Sequence, residues 1–369
     1  MENNFEIIAE EQQSDYSNDN LFNITSWGAD ISLRELISSY EEGDIVKPEL
    51  QRNYVWDKAE ASRFIESILM GLPVPSIFLA NDKNNRKLIV DGYQRIMTIC
   101  DYKRGVWGKD NSPFKLINSD KINTRWRNKG YNELEDDDQR RFRLYTIHAI
   151  IFEQKRPQND DGLYQIFERI NTSGKTLNPQ EIRNCVYQGS LNSLLFRLNR
   201  NMKWRAMFGD TSDNARMLDI EFILRFFALS DNDDWINSSG RFVLKKLLNE
   251  YMGNHKEANS DFITAKETEF NEVIDVIYDS IGERAFHNLQ NDLSTLRNNF
   301  NPTVFDSIMI ATQIAVSRNC TIPNDLSDRR LSMLKDASYR ESITQGTMVY
   351  DNIKNRVAKA LYYLFDCDL

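Results

Sequence analysis

Lys87-Leu88-Ile89-Val90-Asp91-Gly92-Tyr93-Gln94-Arg95 is a short apolar run that breaks at Asp-Gly and resumes with a different periodicity. The run and its break read as a buried strand and a turn. Ile96, Ile99 and Cys100 then recur at the three- and four-residue intervals of an amphipathic helix, which Gly105 stops. Gln94 and Arg95 therefore fall in the first turn of that helix, where unpaired backbone N–H groups and the positive end of the dipole favour an anion. A strand-turn-helix corner carrying a surface arginine is the plainer reading of the same residues, and one short motif does not separate the two.

Working outward, the segment before this strand supplies a second, stronger helix signal. Asp57 caps it and Glu60 completes a capping box, Ala61, Phe64, Ile65, Ile68 and Leu69 form one apolar face, and Gly71 ends it. A short helix is expected over Ile31–Glu42. Val46 to Trp56 reads as extended, because Pro48 biases Lys47 away from helix. Leu72-Pro73-Val74-Pro75 leads into a strand at Ser76–Ala80, and the polar residues Asn81 to Asn85 turn the chain into the strand before Asp91. Phe142–Phe152 has β-branched and aromatic residues on both parities and predicts a strand buried on both faces.

Beyond Gly189 the pattern is almost wholly helical, with apolar periodicity over Met217–Leu229, Phe242–Tyr251, Phe262–Ile281, Val304–Val316 and Val349–Phe365. The aromatic pairs Phe226-Phe227 and Tyr362-Tyr363 read as core. The expected organisation is a polar, mobile arm over residues 1–20, an α/β domain over 21–190 and an all-α domain over 191–369. The fold class is therefore α+β.

A chain of 369 residues with 41% hydrophobic and 11% aromatic residues is long enough for two cores. No run approaches a membrane span, and the first residues lack a basic region followed by an apolar stretch, so the expected location is cytoplasmic, without a membrane partner. The four cysteines are scattered and are expected to be free thiols, as in a reducing compartment. A net charge of −9 argues against bulk attraction to nucleic acid. Arg125-Trp126-Arg127 with Arg140, Arg141 and Arg143 is the best local basic patch. The acidic run Glu133 to Asp138 between them predicts a surface that neutralises itself, although an aromatic flanked by arginines has the chemistry to stack on a base.

Two Gln-Arg pairs, Gln51-Arg52 and Gln94-Arg95, lie beside helix starts. Converging guanidinium groups there would grip phosphate oxygens in bidentate fashion. Asp91 would stand beside those phosphates, holding Mg²⁺ or orienting an attacking water. Pairing of each arginine with a local carboxylate is the alternative.

Four ordered blocks carry a resemblance: Pro48-x-x-Gln51-Arg52-x-Tyr54-x-Trp56, Ser67-Ile68-x-x-Gly71-x-Pro73-x-Pro75, Asp91-Gly92-x-Gln94-Arg95, and Phe167-x-x-Ile170-Asn171-x-x-Gly174-x-x-Leu177. Together they resemble the N-terminal domain family of GmrSD-type restriction endonucleases, over roughly Ile31 to Gly189. The resemblance implies a core similar to the ParB and sulfiredoxin nuclease-like fold, binding and hydrolysis of a nucleoside triphosphate with Mg²⁺, and restriction of modified phage DNA. Asp91, Gln94 and Arg95 are then the catalytic candidates and Asp91 the metal ligand. Gln51, Arg52, Gly92, Tyr93, Gln94, Arg95 and Lys175 are the candidates for holding the nucleotide. Tyr93 stands where the family usually has Gln.

Many relatives also carry an HNH nuclease domain. The three histidines here, His148, His255 and His287, are too far apart in sequence to supply its paired metal-binding and general-base imidazoles. Any such cutter is expected from a partner protein in trans, and a homo-oligomer is compatible with the reading. A non-hydrolysing DNA-binding or scaffolding subunit and a self-sufficient nuclease are the alternatives. Thr172-Ser173-Gly174-Lys175-Thr176 ends like a P-loop, but Arg169 occupies the position that motif gives to glycine. Gly174 and Lys175 remain candidates for a clamp across the pocket. Glu153-Gln154-Lys155 resembles half of a metal-dependent nuclease site without its upstream partner.

Overall fold

Residues 23–47, 54, 56–81, 86–156, 161–170, 177–209, 217–232, 234–241 and 243–369 are described by the computed structural model. The arm expected over residues 1–20 and the motif residues Gln51, Arg52, Gly174 and Lys175 lie outside them. The chain divides into two compact units between Val186 and Tyr187. The secondary structure is mixed α+β.

The unit ending at Val186 is built on a five-stranded mixed sheet of β1 (Asn23–Ser32), β2 (Ile45–Val46), β3 (Ile77–Asn81), β4 (Lys87–Asp91) and β5 (Thr146–Arg156), in the order β1-β5-β3-β4-β2. β3 runs antiparallel to β4 and parallel to β5, while β2 lies parallel to β4 with Val46 opposite Leu88. Leu88, Ile89 and Val90 are all buried, so both faces of β4 are covered, as its unbroken apolar run requires. β1 escaped the sequence reading. Its residues alternate weakly in polarity and are largely exposed, so its place comes from antiparallel pairing with β5 rather than from a buried face of its own.

Helices α1 (Leu33–Glu42), α2 (Lys58–Met70) and α3 (Tyr93–Arg104) pack together on the sheet's core. The capping box of α2 is present: Asp57 Oδ1 accepts from Glu60 N–H at 2.7 Å and Glu60 Oε2 from Asp57 N–H at 2.9 Å. Ile65, Ile68 and Leu69 of α2 meet Ile96, Ile99 and Cys100 of α3 in full burial. Each such aliphatic side chain contributes about 1.5–3 kcal/mol relative to exposure.

The strand expected over Phe142–Phe152 needs correction at both ends. Residues Asp136–Leu144 form helix α4, because Asp136, Asp137 and Asp138 sit at its positive end and Arg141 and Arg143 at its negative end. Phe142 is the buried anchor of that helix, 5.8 Å from Tyr102 and 5.5 Å from Tyr131 between ring centroids. β5 begins only at Thr146, and its burial alternates: Ile147, Ala149 and Ile151 point into the core while His148 is exposed. One face of β5 is thus closed, not both. Helices α5 (Asp161–Ile170) and α6 (Pro179–Val186) complete the unit.

The second unit contains α7 (Ser190–Leu198), α8 (Met202–Phe208), α9 (Leu218–Ser230), α10 (Asp234–Asn237), α11 (Leu244–His255) and α12 (Ser260–Ile281), then α13 (Pro302–Ser317), α14 (Leu326–Lys335), α15 (Ala337–Thr344) and α16 (Tyr350–Phe365). It is not wholly helical. β6 (His287–Leu289) and β7 (Leu296–Phe300) form a hairpin, reversed where Asp292 accepts hydrogen bonds from the Ser294 backbone and hydroxyl. Phe300 anchors it among Phe222, Phe286 and Phe305. Arg225 grips Asp306 in a buried bidentate pair between α9 and α13.

Phe226 and Phe227 are core residues as expected, but Tyr362 and Tyr363 are not. The buried stripe of α16 runs through Ile353, Val357, Leu361 and Leu364, which leaves Tyr362 60% exposed and Tyr363 hydrogen-bonded to Asp336 at 3.1 Å.

Candidate anion-binding site

Asp91 is the last residue of β4 and Arg95 belongs to the first turn of α3, so the four-residue spacing folds their side chains together across the turn. The Arg95 guanidinium donates to Asp91 Oδ2 in an ion pair. The arginine side chain is 13% exposed and the aspartate 41%, so the carboxylate is the member that faces solvent. Arg95 therefore pairs locally, with Asp91 as its partner.

The turn between them depends on Gly92. Its φ of 101° lies in the left-handed region, and a Cβ there would stand 2.6 Å from Ile77 Cγ2 of β3. Glycine is thus required both for the chain reversal and for the close packing of the turn on β3. As N-cap of α3, Gly92 has no side chain with which to cap the first-turn N–H groups.

Gln94 faces the segment that leads into α2. Its Oε1 accepts from Trp56 N–H at 3.3 Å, and one turn on, Thr98 Oγ1 lies 2.5 Å from the Tyr54 hydroxyl. Trp56 packs edge-on against Phe64 of α2. Tyr54 and Trp56 thus fasten that segment to the first two turns of α3. They were quoted within a motif block but given no role, since nothing in their spacing reveals a partner forty residues away.

Tyr93 is buried in the core beside Tyr54 and Tyr40. Burial raises its phenol well above the ordinary tyrosine range, so it is a neutral hydroxyl at physiological pH. Above its ring, at 4.8 Å from the centroid, stands the Lys47 ammonium, which follows β2 directly. Lys47 went unweighed in the sequence, where a lysine after a short strand is unremarked.

Other candidates resolve into structural roles. Arg125 pairs with Glu135 and Asp138, and Trp126 is buried with its indole N–H donating to Asp138 at 2.8 Å, so the basic patch neutralises itself and presents no stacking face. His148 is on the surface against Asp30 at 2.9 Å, His255 stacks on Phe262 with centroids 4.5 Å apart, and His287 Nδ1 lies 2.8 Å from the Arg297 carbonyl oxygen. Among the described residues no group of three or more His, Cys, Asp or Glu side chains is placed to hold a metal. An open cleft of about 500 Å³ is lined by Glu66, Asp120, Lys121, Asn123 and Arg127, and contains none of the junction residues. No helix among the described residues is long and apolar enough to cross a membrane.

The Asp91–Arg95 junction, its glycine and the helix fastened by Tyr54 and Trp56 lie within residues 33–188, which match the family model of the GmrSD restriction endonuclease, N-terminal domain. Over those residues the chain is similar to that family. No curated protein matches the chain. The GmrSD match points to a component of a restriction or defence system, and every described junction residue falls inside it.

Proposed function

We propose that the GmrSD-type domain binds a nucleoside triphosphate with Mg²⁺ at the β4–α3 junction and couples its nucleotide state to DNA recognition or to release of an effector. The observation that carries this reading is the Asp91–Arg95 pair at a helix start whose N-cap is a glycine. A polyphosphate would compete with Asp91 for the Arg95 guanidinium and accept hydrogen bonds from the first-turn amides. Asp91 would be released toward solvent, where its carboxylate is already the more exposed partner.

A single carboxylate suits Mg²⁺, which takes one or two protein oxygens and completes its shell with phosphates and water. When bound it would neutralise phosphate charge. Gln94, held by Trp56, would position one edge of the ligand, while Gln51, Arg52 and Lys175 are proposed as further contacts on sequence grounds. Modified phage DNA and a nuclease supplied in trans are the proposed downstream partners, and self-association is compatible with the scheme.

The test is isothermal titration of each nucleoside triphosphate with MgCl₂ into the full chain. Binding is expected for the wild type, loss of binding for Arg95→Ala, and retained binding with lost phosphate release for Asp91→Asn. Absence of heat for every nucleotide overturns the reading. A non-hydrolysing switch is favoured by one observation: Tyr93, at the centre of the motif, is a buried neutral phenol and offers no base. Nucleotide binding without phosphate release would select that version.

A further inference from the structure

Lys47 is a charged group at the junction that the scheme above leaves unused. It directly follows β2, which lies on the opposite side of β4 from β3, and it lies over Tyr93. Tyr93 and Arg95 are two residues apart on α3, about 200° around the helix axis. The two cations therefore flank the helix start from different sides.

The Lys47 ammonium is half-buried and has no carboxylate partner among the described residues. Among the described residues its electrostatic neighbour is the thiol of Cys185 on α6, and burial raises that thiol so that it stays neutral and supplies no counter-charge. Desolvation accordingly lowers the Lys47 pKa. An aromatic face is a weak resting place for a cation when compared with an oxyanion. The side chain also has a flexible four-carbon stem, so it can leave the ring without moving the backbone.

We infer that Lys47 is a second phosphate-binding residue, engaging a phosphoryl group different from the one held by Arg95, and that it exchanges the Tyr93 ring for that phosphoryl group. A single phosphate cannot touch cations on both sides of a helix start, whereas a chain of phosphates can. Lys47 thereby makes the site selective for polyphosphates over monophosphates. This rests on the nucleotide-binding reading, and specifies which part of the ligand is read.

Inorganic tripolyphosphate and orthophosphate, each with MgCl₂, separate the two ideas when titrated calorimetrically into the full chain. Wild-type protein is expected to bind tripolyphosphate. Lys47→Met, which keeps the apolar stem over Tyr93, is expected to weaken tripolyphosphate at least tenfold and to leave orthophosphate within twofold. Lys47→Arg is expected to restore tripolyphosphate binding, and so serves as the control for a folding defect. Arg95→Gln should weaken both probes. A smaller loss in Lys47→Met, or an equal loss on the two probes, overturns the role of Lys47 while leaving the nucleotide site standing. A wild-type chain that binds neither tripolyphosphate nor any nucleotide overturns both.

Discussion

Replacing Gly92 by alanine tests whether the junction is built as described, because two separable costs meet at that residue. The first is conformational: a left-handed residue with a Cβ costs about 1–2 kcal/mol, offset by ~0.4–1 kcal/mol of lost freedom in the unfolded chain. The second is steric, since the new methyl would stand 2.6 Å from Ile77 Cγ2 and 3.0 Å from Ile77 Cβ. Forced overpacking of this kind costs about 1–3 kcal/mol.

Gly71 provides the control. It has a φ of 73° at the end of α2, and a Cβ there meets nothing within 4 Å. Gly71→Ala should therefore carry the conformational cost alone, a net loss of about 0–1.5 kcal/mol. Gly92→Ala should lose about 1–4.5 kcal/mol. Urea unfolding of the full chain, followed by a probe in the unit ending at Val186, measures both. If Gly92→Ala is no less stable than Gly71→Ala, the close approach of the turn to β3 is wrong, and with it the placement of Asp91 against Arg95.

Asp306→Ala should destabilise the helical unit by about 3–5 kcal/mol, because it removes the buried carboxylate that both Arg225 and Arg356 contact, and denaturant melts would register it. Asp138→Ala removes the acceptor of the buried Trp126 indole, a loss of about 1–3 kcal/mol visible by tryptophan fluorescence during unfolding. Burial lowers the pKa of His255, so the unfolded chain takes up its proton first as pH falls. That contribution to stability is complete above the unfolded value of about 6.5 and shrinks below it; His255→Phe should flatten the decline between pH 7.5 and 5.5, and an unchanged decline would contradict the assignment. The free Cys320 and Cys367 thiols lie 2.6 Å apart, so glutathione disulfide is expected to join them with release of two reduced glutathiones, which peptide mass mapping would detect. Recovery of both as separate glutathione adducts would refute that pairing.

Local chemistry explains what could be read without coordinates. Strand β4, the Asp-Gly turn, helix α3 with its Gly105 stop, and the Asp57–Glu60 capping box all rest on interactions within a few residues, which sequence spacing encodes directly. The periodic helices of the second unit were legible for the same reason. The family resemblance was legible because its four blocks occur in order, and the matched domain over residues 33–188 agrees with it.

Long-range partners set the rest. The Phe142 region reads as strand because β-branched and aromatic residues cluster there, yet its charges complement a helix dipole and Phe142 is claimed by Tyr102 and Tyr131. β1 has no apolar face to announce it and exists through its pairing with β5. At the junction, sequence alone determined that Asp91, Gly92, Gln94 and Arg95 share a strand-to-helix turn. Only the tertiary structure decided that Gly92 must clear Ile77, that Tyr54 and Trp56 fasten α3, and that Lys47 lies over Tyr93. Those contacts join residues far apart in the chain, and spacing along a sequence carries no record of which distant side chains a shared core will bring together.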